Sequence, residues 1–153
     1  MKVPLKVMAA VETLCMRFES GDYNPTPIID LGVLVANADG AVDAAEIEAL
    51  GDVVQRLLGA HLDAEMVGYL VQASLDVAVK AGVVSRARLV AEILMDCDTV
   101  EEGLTVALAI AFASDGLSPS ERALIESIAR ATELPAGRLD ALVEEVRTAV
   151  NAG

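Results

Sequence analysis

A nearly uncharged helix that leads into an Asp-Gly turn and then into a capped second helix occurs twice in this chain. The later copy is Leu104–Glu121, LTVALAIAFASDGLSPSE, and the earlier copy is Asp30–Glu46, DLGVLVANADGAVDAAE. Asp39-Gly40 corresponds to Asp115-Gly116 at a separation of 76 residues, which is 115 minus 39. A repeat on this scale predicts two related helical units that are packed together.

The composition favours closely packed helices. Apolar residues make up 54% of the chain, but aromatic residues make up only 3% and Trp is absent, so the core is built from Ala, Val, Leu and Ile. A chain of 153 residues buries about 70% of the surface that its unfolded form exposes, which is enough for one domain. We therefore expect a single domain over residues 1–153, with repeat units at about 27–82 and 99–151.

Helical periodicity predicts an all-α bundle of about eight helices. Apolar residues recur at spacings of three and four, and no run alternates for long enough to form a strand. The predicted helices run from about Lys2 to Glu19, Pro27 to Ala38, Asp43 to Leu58, Asp63 to Ala81, Ser85 to Met95, Val100 to Ser114, Ser118 towards Leu134, and Pro135 to Val150. The second and sixth are expected to be buried on most sides, and Ile47, Met66 and Val79 are expected to face inward.

The charge of the chain bears on its partners. Twenty-four acidic and eleven basic residues give a net charge of −13, which repels phosphate backbones and anionic lipid surfaces. Nucleic acid is therefore not expected as a partner. The charge is compatible with a bound cation or with a basic protein partner.

Two features of the sequence predict a cytoplasmic protein that does not insert into a membrane. The longest uncharged stretch, Gly103–Ser114, has 12 residues, whereas a helix that spans a bilayer needs roughly 20. The start MKVPLKVM lacks a signal-peptide pattern, and Cys15 and Cys97 lie far apart among apolar residues. Both thiols are interpreted as structural, and the aspartates beside Cys97 would raise its pKa if they are close.

The acidic turns have three competing explanations: a cation site, helix capping and protein recognition. An aspartate at the end of a helix faces the negative end of the helix dipole, which is unfavourable by roughly 0.3–1 kcal/mol. A hard cation would explain this placement, because it binds carboxylate and carbonyl oxygens that converge where a helix ends. Gly40 and Gly116 would supply the backbone freedom that the sharp reversal needs.

Helix capping explains much of the same pattern. Asp43 with Glu46, and Ser118 with Glu121, have the spacing of capping boxes, each worth about 1 kcal/mol. Thr99 with Glu102 predicts a third box. A working pair of EF-hand loops is not expected, because apolar residues occupy ligand positions in both turns: Val35, Ala111 and Ala113. Capping, a cation site and protein recognition therefore all remain open.

The motifs ADGAVDAAEIEAL and SDGLSPSERALIESIA, each preceded by an apolar helix, resemble those of the tellurite-resistance TerB family. The domain of that family is also similar to the N-terminal part of a membrane-anchored DnaJ-like co-chaperone. The resemblance covers about Asp30 to Leu134. It implies a compact, non-catalytic, cytoplasmic helical domain of a stress response, with a divalent cation such as Ca²⁺ or Mg²⁺ at its acidic clusters and membrane-bound protein partners.

The cation ligands that the resemblance implies correspond, by their positions in the two motifs, to five residues of this chain. They are Asp39, Asp43 and Glu46 in the first turn, and Asp115 and Glu121 in the second. The second turn departs from the family pattern, because Ser118 stands where an acidic residue is common and the loop is one residue shorter. The resemblance therefore supports the first site more strongly than the second.

A helical hydrolase with a carboxylate-held metal is the alternative function. The only histidine, His61, has no catalytic partner nearby in the sequence, and no phosphate-binding glycine loop or zinc-binding pair is present. The pairs Glu101-Glu102 and Glu144-Glu145 are interpreted as solvated faces. A homodimer also stays open, and an uncovered apolar face on the first or last helix would predict one.

Overall fold

The computed structural model describes residues 4–23, 26–38, 40, 44–58, 63–113, 116–135 and 137–152, apart from the side chains of residues 57, 58 and 64. These residues form eight helices and no strand, which confirms the all-α prediction. The helices are α1 (Leu5–Ser20), α2 (Thr26–Ala36), α3 (Ala44–Leu58), α4 (Ala64–Ala81), α5 (Val83–Asp96), α6 (Val100–Ala111), α7 (Pro119–Ala131) and α8 (Arg138–Ala152).

Helices α2 and α6 form the centre of the bundle. Every residue from Ile28 to Ala36 and from Gly103 to Ala111 is buried. The two helices pack against each other; α1, α3 and α8 pack on α6, while α3, α4 and α5 pack on α2. A helix that is apolar on all sides is stable only when other helices surround it. The two nearly uncharged helices predicted from the sequence therefore lie at the centre of the fold.

Glycine permits the close approach of the central helices. A Cβ atom added at Gly32 of α2 would lie 2.5 Å from Leu50 Cδ1 and 2.9 Å from Ile110 Cδ1. A Cβ atom added at Gly103 of α6 would lie 2.6 Å from Leu94 Cδ2. Both positions therefore allow neighbouring aliphatic side chains to fill the space that a side chain would occupy.

The junction between α4 and α5 differs from the sequence expectation. Helix α5 starts at Val83, two residues earlier than predicted, because the break consists of Gly82 alone, with a φ of 93°. The two helices meet at 114° across this residue. A left-handed glycine can end one helix and start the next without a loop, which the apolar pattern does not reveal.

Three side chains predicted to face the core are exposed instead. Ile47, Met66 and Val79 are 44%, 47% and 73% exposed, respectively. On α4, the line that is covered by neighbouring helices runs through Val67 and Ala78. The apolar side of each of these helices is wider than the part of its surface that the neighbouring helices cover. The prediction was therefore wrong for residues at the margin of the apolar side.

Most of the large apolar side chains that remain exposed lie on α4 and α5. They are Met66, Tyr69, Val77, Val79, Val83, Val84, Leu89 and Met95. Helix α1 adds Leu5 and Met16, and α8 adds none among the described residues. The apolar face that would predict a homodimer through α8 is therefore covered within the chain.

In the described ranges, no individual helix is both long and apolar enough to cross a bilayer. The bent pair Glu65–Ala81 and Val83–Asp96 meets the criteria only when its two helices are taken together.

A buried ion pair joins α2, α4 and α5. Asp30 is 4% exposed, its Oδ1 accepts a hydrogen bond from Ser74 Oγ at 2.5 Å, and its Oδ2 pairs with the guanidinium of Arg86. A buried carboxylate is tolerated when it is paired and hydrogen-bonded in this way. In the sequence pattern Asp30 is only a polar interruption of an apolar helix.

Candidate cation site at the acidic turns

The two glycines of the acidic turns adopt the predicted conformation. Gly40 and Gly116 have φ values of 91° and 106°, in the left-handed region that side chains rarely enter. In the first turn the N–H of Gly40 donates to the carbonyl oxygen of Asn37 at 3.0 Å. Both glycines therefore have a backbone conformation that other residues rarely adopt.

The second turn ends in the predicted capping box. Ser118 Oγ accepts a hydrogen bond from the N–H of Glu121 at 3.1 Å, and Glu121 Oε1 accepts one from the N–H of Ser118 at 2.9 Å. Pro119 occupies the first turn of α7, where its missing N–H costs nothing. This box is confirmed.

The predicted box at Thr99 is wrong. Thr99 precedes α6, but its hydroxyl group donates to the carbonyl oxygen of Leu94 at 3.4 Å, and its side chain does not cap the helix. Asp98 has a φ of 54°, and the left-handed turn that it forms carries the buried Thr99 side chain back towards α5. Sequence spacing cannot distinguish these two uses of a threonine.

Capping alone does not require the burial of Glu121. Its side chain is 2% exposed, and within the described part of the chain its Oε2 has no hydrogen-bond partner. A buried polar atom without a partner costs about 1–3 kcal/mol, and more when it is charged. The corresponding residue of the first turn, Glu46, is also 2% exposed, at the first turn of α3. No pattern in the sequence predicts that either glutamate is buried.

The structure places two of the five predicted cation ligands, Glu46 and Glu121. The other three, Asp39, Asp43 and Asp115, lie outside the described residues, and so does the whole loop that contains His61. In the described ranges, no group of three or more His, Cys, Asp or Glu side chains is arranged to hold a metal ion. The complete ligand set therefore stays a prediction.

The end of α2 and the start of α7 line one cavity. It has a volume of about 160 Å³ and also contacts α4 and α5. Asn37 and Ala38 reach it from the first unit, and Ser120 and Leu124 reach it from the second. Since Ala38 precedes the first acidic turn and Ser120 follows the second, the cavity brings parts of the two units together.

Carboxylates also gather in a recess between α1, α6 and α8. The recess has a volume of about 260 Å³ and is lined by Glu101, Glu102 and Glu145 and by the positively charged side chains of Lys6 and Arg138. Arg138 donates to both carboxylate oxygens of Glu101, at 2.9 Å and 2.7 Å, and Lys6 lies 3.3 Å from Glu145. Glu101 and Glu145 therefore form ion pairs between helices, whereas Glu102 Oε2 is buried and has no hydrogen-bond partner within the described residues.

The recess predicts a pH-dependent effect of Arg138→Gln. The hydrogen bonds from Arg138 hold the pKa of Glu101 below its ordinary value of 4.5. The resulting stabilisation is present above that value and is lost as the pH falls through the lowered pKa of the folded state. Because both side chains are partly exposed, we expect Arg138→Gln to reduce the free energy of unfolding only slightly at neutral pH.

Urea denaturation at neutral and acidic pH measures this effect. The difference between the wild type and Arg138→Gln is expected to shrink in acid, and Glu101→Gln serves as the matched control from the other side of the pair. A loss of equal size at both pH values would show that Arg138 stabilises the fold through packing.

The two cysteines are poor candidates for redox chemistry. Burial raises the pKa of both the Cys15 and Cys97 thiols, and the carboxylates of Glu12 and Asp96 raise these values further. The predicted direction for Cys97 is confirmed, although burial contributes more than the neighbouring aspartate. A raised thiol pKa lowers the fraction of reactive thiolate.

Comparison with known protein families gives a match that covers most of the chain. The family model described as tellurite resistance protein TerB matches residues 26–144, more than three quarters of the chain. No curated protein and no solved structure matches the chain. The matched range begins with α2 and ends within α8, so it contains both acidic turns and leaves α1 outside.

Proposed function

Because this chain belongs to the tellurite-resistance TerB family, we propose that it is a non-enzymatic interaction domain of a stress response, and that its acidic turns bind a divalent cation. The observation that carries the proposal is the buried Glu121 carboxylate, whose Oε2 has no partner within the described residues. A bound cation would compensate the charge of this oxygen.

The chemistry of the two turns fits a hard cation. Ca²⁺ and Mg²⁺ bind carboxylate and carbonyl oxygens, and the end of a helix provides carbonyl oxygens without a partner in that helix. Asp115 and Glu121 would supply the carboxylates of the second turn, and Asp39, Asp43 and Glu46 those of the first. Since the first turn offers three carboxylates and the second offers two, we expect the first turn to bind more tightly.

Calorimetric titration with Ca²⁺, Mg²⁺ and Mn²⁺ tests the site. We expect Asp39→Asn and Asp115→Asn each to weaken binding at its own turn by about tenfold or more, because each removes a charged oxygen ligand. Glu92→Gln is the matched control, since it removes an exposed negative charge from α5, which belongs to neither turn. Absence of binding, or binding that survives both substitutions, would contradict the proposal.

Glu121→Gln separates cation binding from capping, because glutamine keeps an oxygen that can accept the bond from Ser118. With chelator present, we expect the variant to be at least as stable as the wild type, because a buried charge has been removed. With Ca²⁺ at about 100 times its dissociation constant, the wild type is expected to gain about 2.7 kcal/mol per site. The variant is expected to lose the part of this gain that comes from the second turn.

Thermal unfolding with and without Ca²⁺ gives the measurement. If Glu121 serves only as a cap, the variant and the wild type will respond identically to Ca²⁺, and the proposal for the second turn fails.

The proposed partner is a cytoplasmic or membrane-associated protein. The net charge of −13 favours a partner surface with positive charge and disfavours nucleic acid. Affinity purification at native expression, followed by identification of bound membrane proteins, tests this part of the proposal. Recovery of a metal-dependent phosphate- or peptide-hydrolysing activity from the pure protein would favour the enzyme instead.

A further inference from the structure

Helices α3 and α4 leave an open groove between them, on the face of α4 next to α3. The groove has a volume of about 360 Å³, and its apolar lining consists of Ile47, Gly51, Val67, Gly68 and Val71. Val67 and Val71 are nearly buried, whereas Ile47 is well exposed. The groove therefore presents apolar surface to solvent between the side chains of α3 and those of α4.

Two glycines keep the groove open. A Cβ atom added at Gly68 would meet no heavy atom within 4 Å, and one added at Gly51 would only touch Val67 Cγ1 at 3.6 Å. Both glycines lie within helices, where alanine would be the better helix former. Packing within this chain therefore does not require a glycine at either position, but close approach of another molecule would.

The charged side chains in the described lining of the groove are all acidic. Glu48 and Asp52 line it from α3, Asp76 accepts a hydrogen bond from the lining residue Gln72 at 3.0 Å, and no Lys or Arg belongs to the described lining. Partial burial, followed by the charge of Glu48, raises the pKa of Asp52, and the positive charge of the N-terminal amino group partly opposes this shift. The raised pKa means that ionisation of Asp52 is less favourable than in water, and a further positive charge beside it would favour the ionised form.

The apolar lining, the open space at the two glycines and the acidic side chains together restrict which molecule could cover the groove. A second copy of the chain would bring a second acidic rim against the first, and an anionic membrane would be repelled by the same charges. The described residues contain no strand with an open edge that could accept an extended peptide. A groove between two helices accepts the side-chain ridge of a third helix.

We propose that the α3–α4 groove binds a basic amphipathic helix of a partner protein. The apolar side chains of that helix, at spacings of three and four, enter the groove over Gly51 and Gly68, and its Lys or Arg side chains pair with Glu48 and Asp52. The proposal rests on the interaction role proposed above, but not on cation binding at the acidic turns.

A synthetic helix serves as the probe. We would titrate the protein with a peptide of about 18 residues made of Leu and Lys, with Leu at helical spacing, and with a counterpart in which Glu replaces Lys. We expect the Leu/Lys peptide to bind and to shift amide resonances of α3 and α4, and the Leu/Glu peptide not to bind.

Two arginine variants on α4 provide the decisive comparison. Gly68→Arg fills the groove and adds a positive charge to its acidic lining, and we expect it to weaken binding of the Leu/Lys peptide by about tenfold or more. Ala73→Arg makes the same change of charge at an exposed position of α4 outside the groove, and we expect an effect within about twofold. Asp52→Asn is expected to weaken binding without blocking the groove.

Other results would overturn the proposal. Equal weakening by both arginine variants would show general attraction to an acidic protein, and a dimer that Gly68→Arg dissociates would identify a second copy as the occupant. Peptide binding at the groove without cation binding would refute only the cation site. Cation binding without peptide binding would refute only the groove.

Discussion

Replacing Asp30 by Ala is expected to lower the free energy of unfolding by about 3–5 kcal/mol. The substitution removes the buried carboxylate that binds Ser74 and Arg86, and it thereby leaves a largely buried guanidinium without its counter-ion. It also opens a small cavity where α2, α4 and α5 meet. Urea denaturation followed by circular dichroism gives the change in unfolding free energy.

A second set of variants separates the ion pair from its parts. Ser74→Ala removes only one hydrogen bond and is expected to cost about 1 kcal/mol. The double variant Asp30→Leu with Arg86→Met replaces both charges with apolar side chains and is expected to recover most of the loss. If Asp30→Ala lowers the free energy of unfolding by no more than Ser74→Ala does, Arg86 is adequately solvated without Asp30. The ion pair would then not be what joins the three helices.

Gly32→Ala and Gly68→Ala are expected to change stability in opposite directions. At Gly32 the new methyl group would collide with Leu50 and Ile110, which are fully buried and cannot move aside freely. Overpacking of a core costs about 1–3 kcal/mol, so a net loss of roughly 2 kcal/mol is expected despite the better helix propensity. At Gly68 the methyl group meets open space, and a gain of about 1 kcal/mol is expected.

Thermal and urea denaturation of the two variants, together with Gly103→Ala, provide the test. Gly103→Ala should resemble Gly32→Ala, because its methyl group would collide with the buried side chain of Leu94. Stabilisation by all three substitutions would mean that helix propensity outweighs packing throughout, and that the centre of the bundle is looser than its geometry indicates.

At the candidate cation site, sequence reasoning succeeded where the interactions are local. The left-handed glycines and the box of Ser118 with Glu121 depend on residues at most four positions apart, so their spacing predicts them. The burial of Glu46 and Glu121 depends instead on the helices that pack over them, and spacing carries no information about that. The match to the TerB family agrees with the resemblance of the two turns, and the ligand role of Asp39, Asp43 and Asp115 awaits the titrations.

The sequence by itself determined the elements and the centre of this protein. Helix positions follow from apolar spacing and from stop signals such as Gly82, and α2 and α6 are central because a helix without a polar face must be enclosed. These properties are contained in short stretches of chain. Each of these properties depends only on a residue and on its neighbours in the sequence.

The tertiary structure decided which part of the apolar side of each helix is covered by neighbouring helices. It paired Asp30 with Arg86 across 56 positions, turned Thr99 towards α5, and left Ile47 and Met66 exposed. Periodicity defines the apolar side of a helix, but it does not state how wide a strip the neighbouring helices will cover. Burial and long-range pairing depend on the positions of those neighbours, and only the packed bundle fixes them.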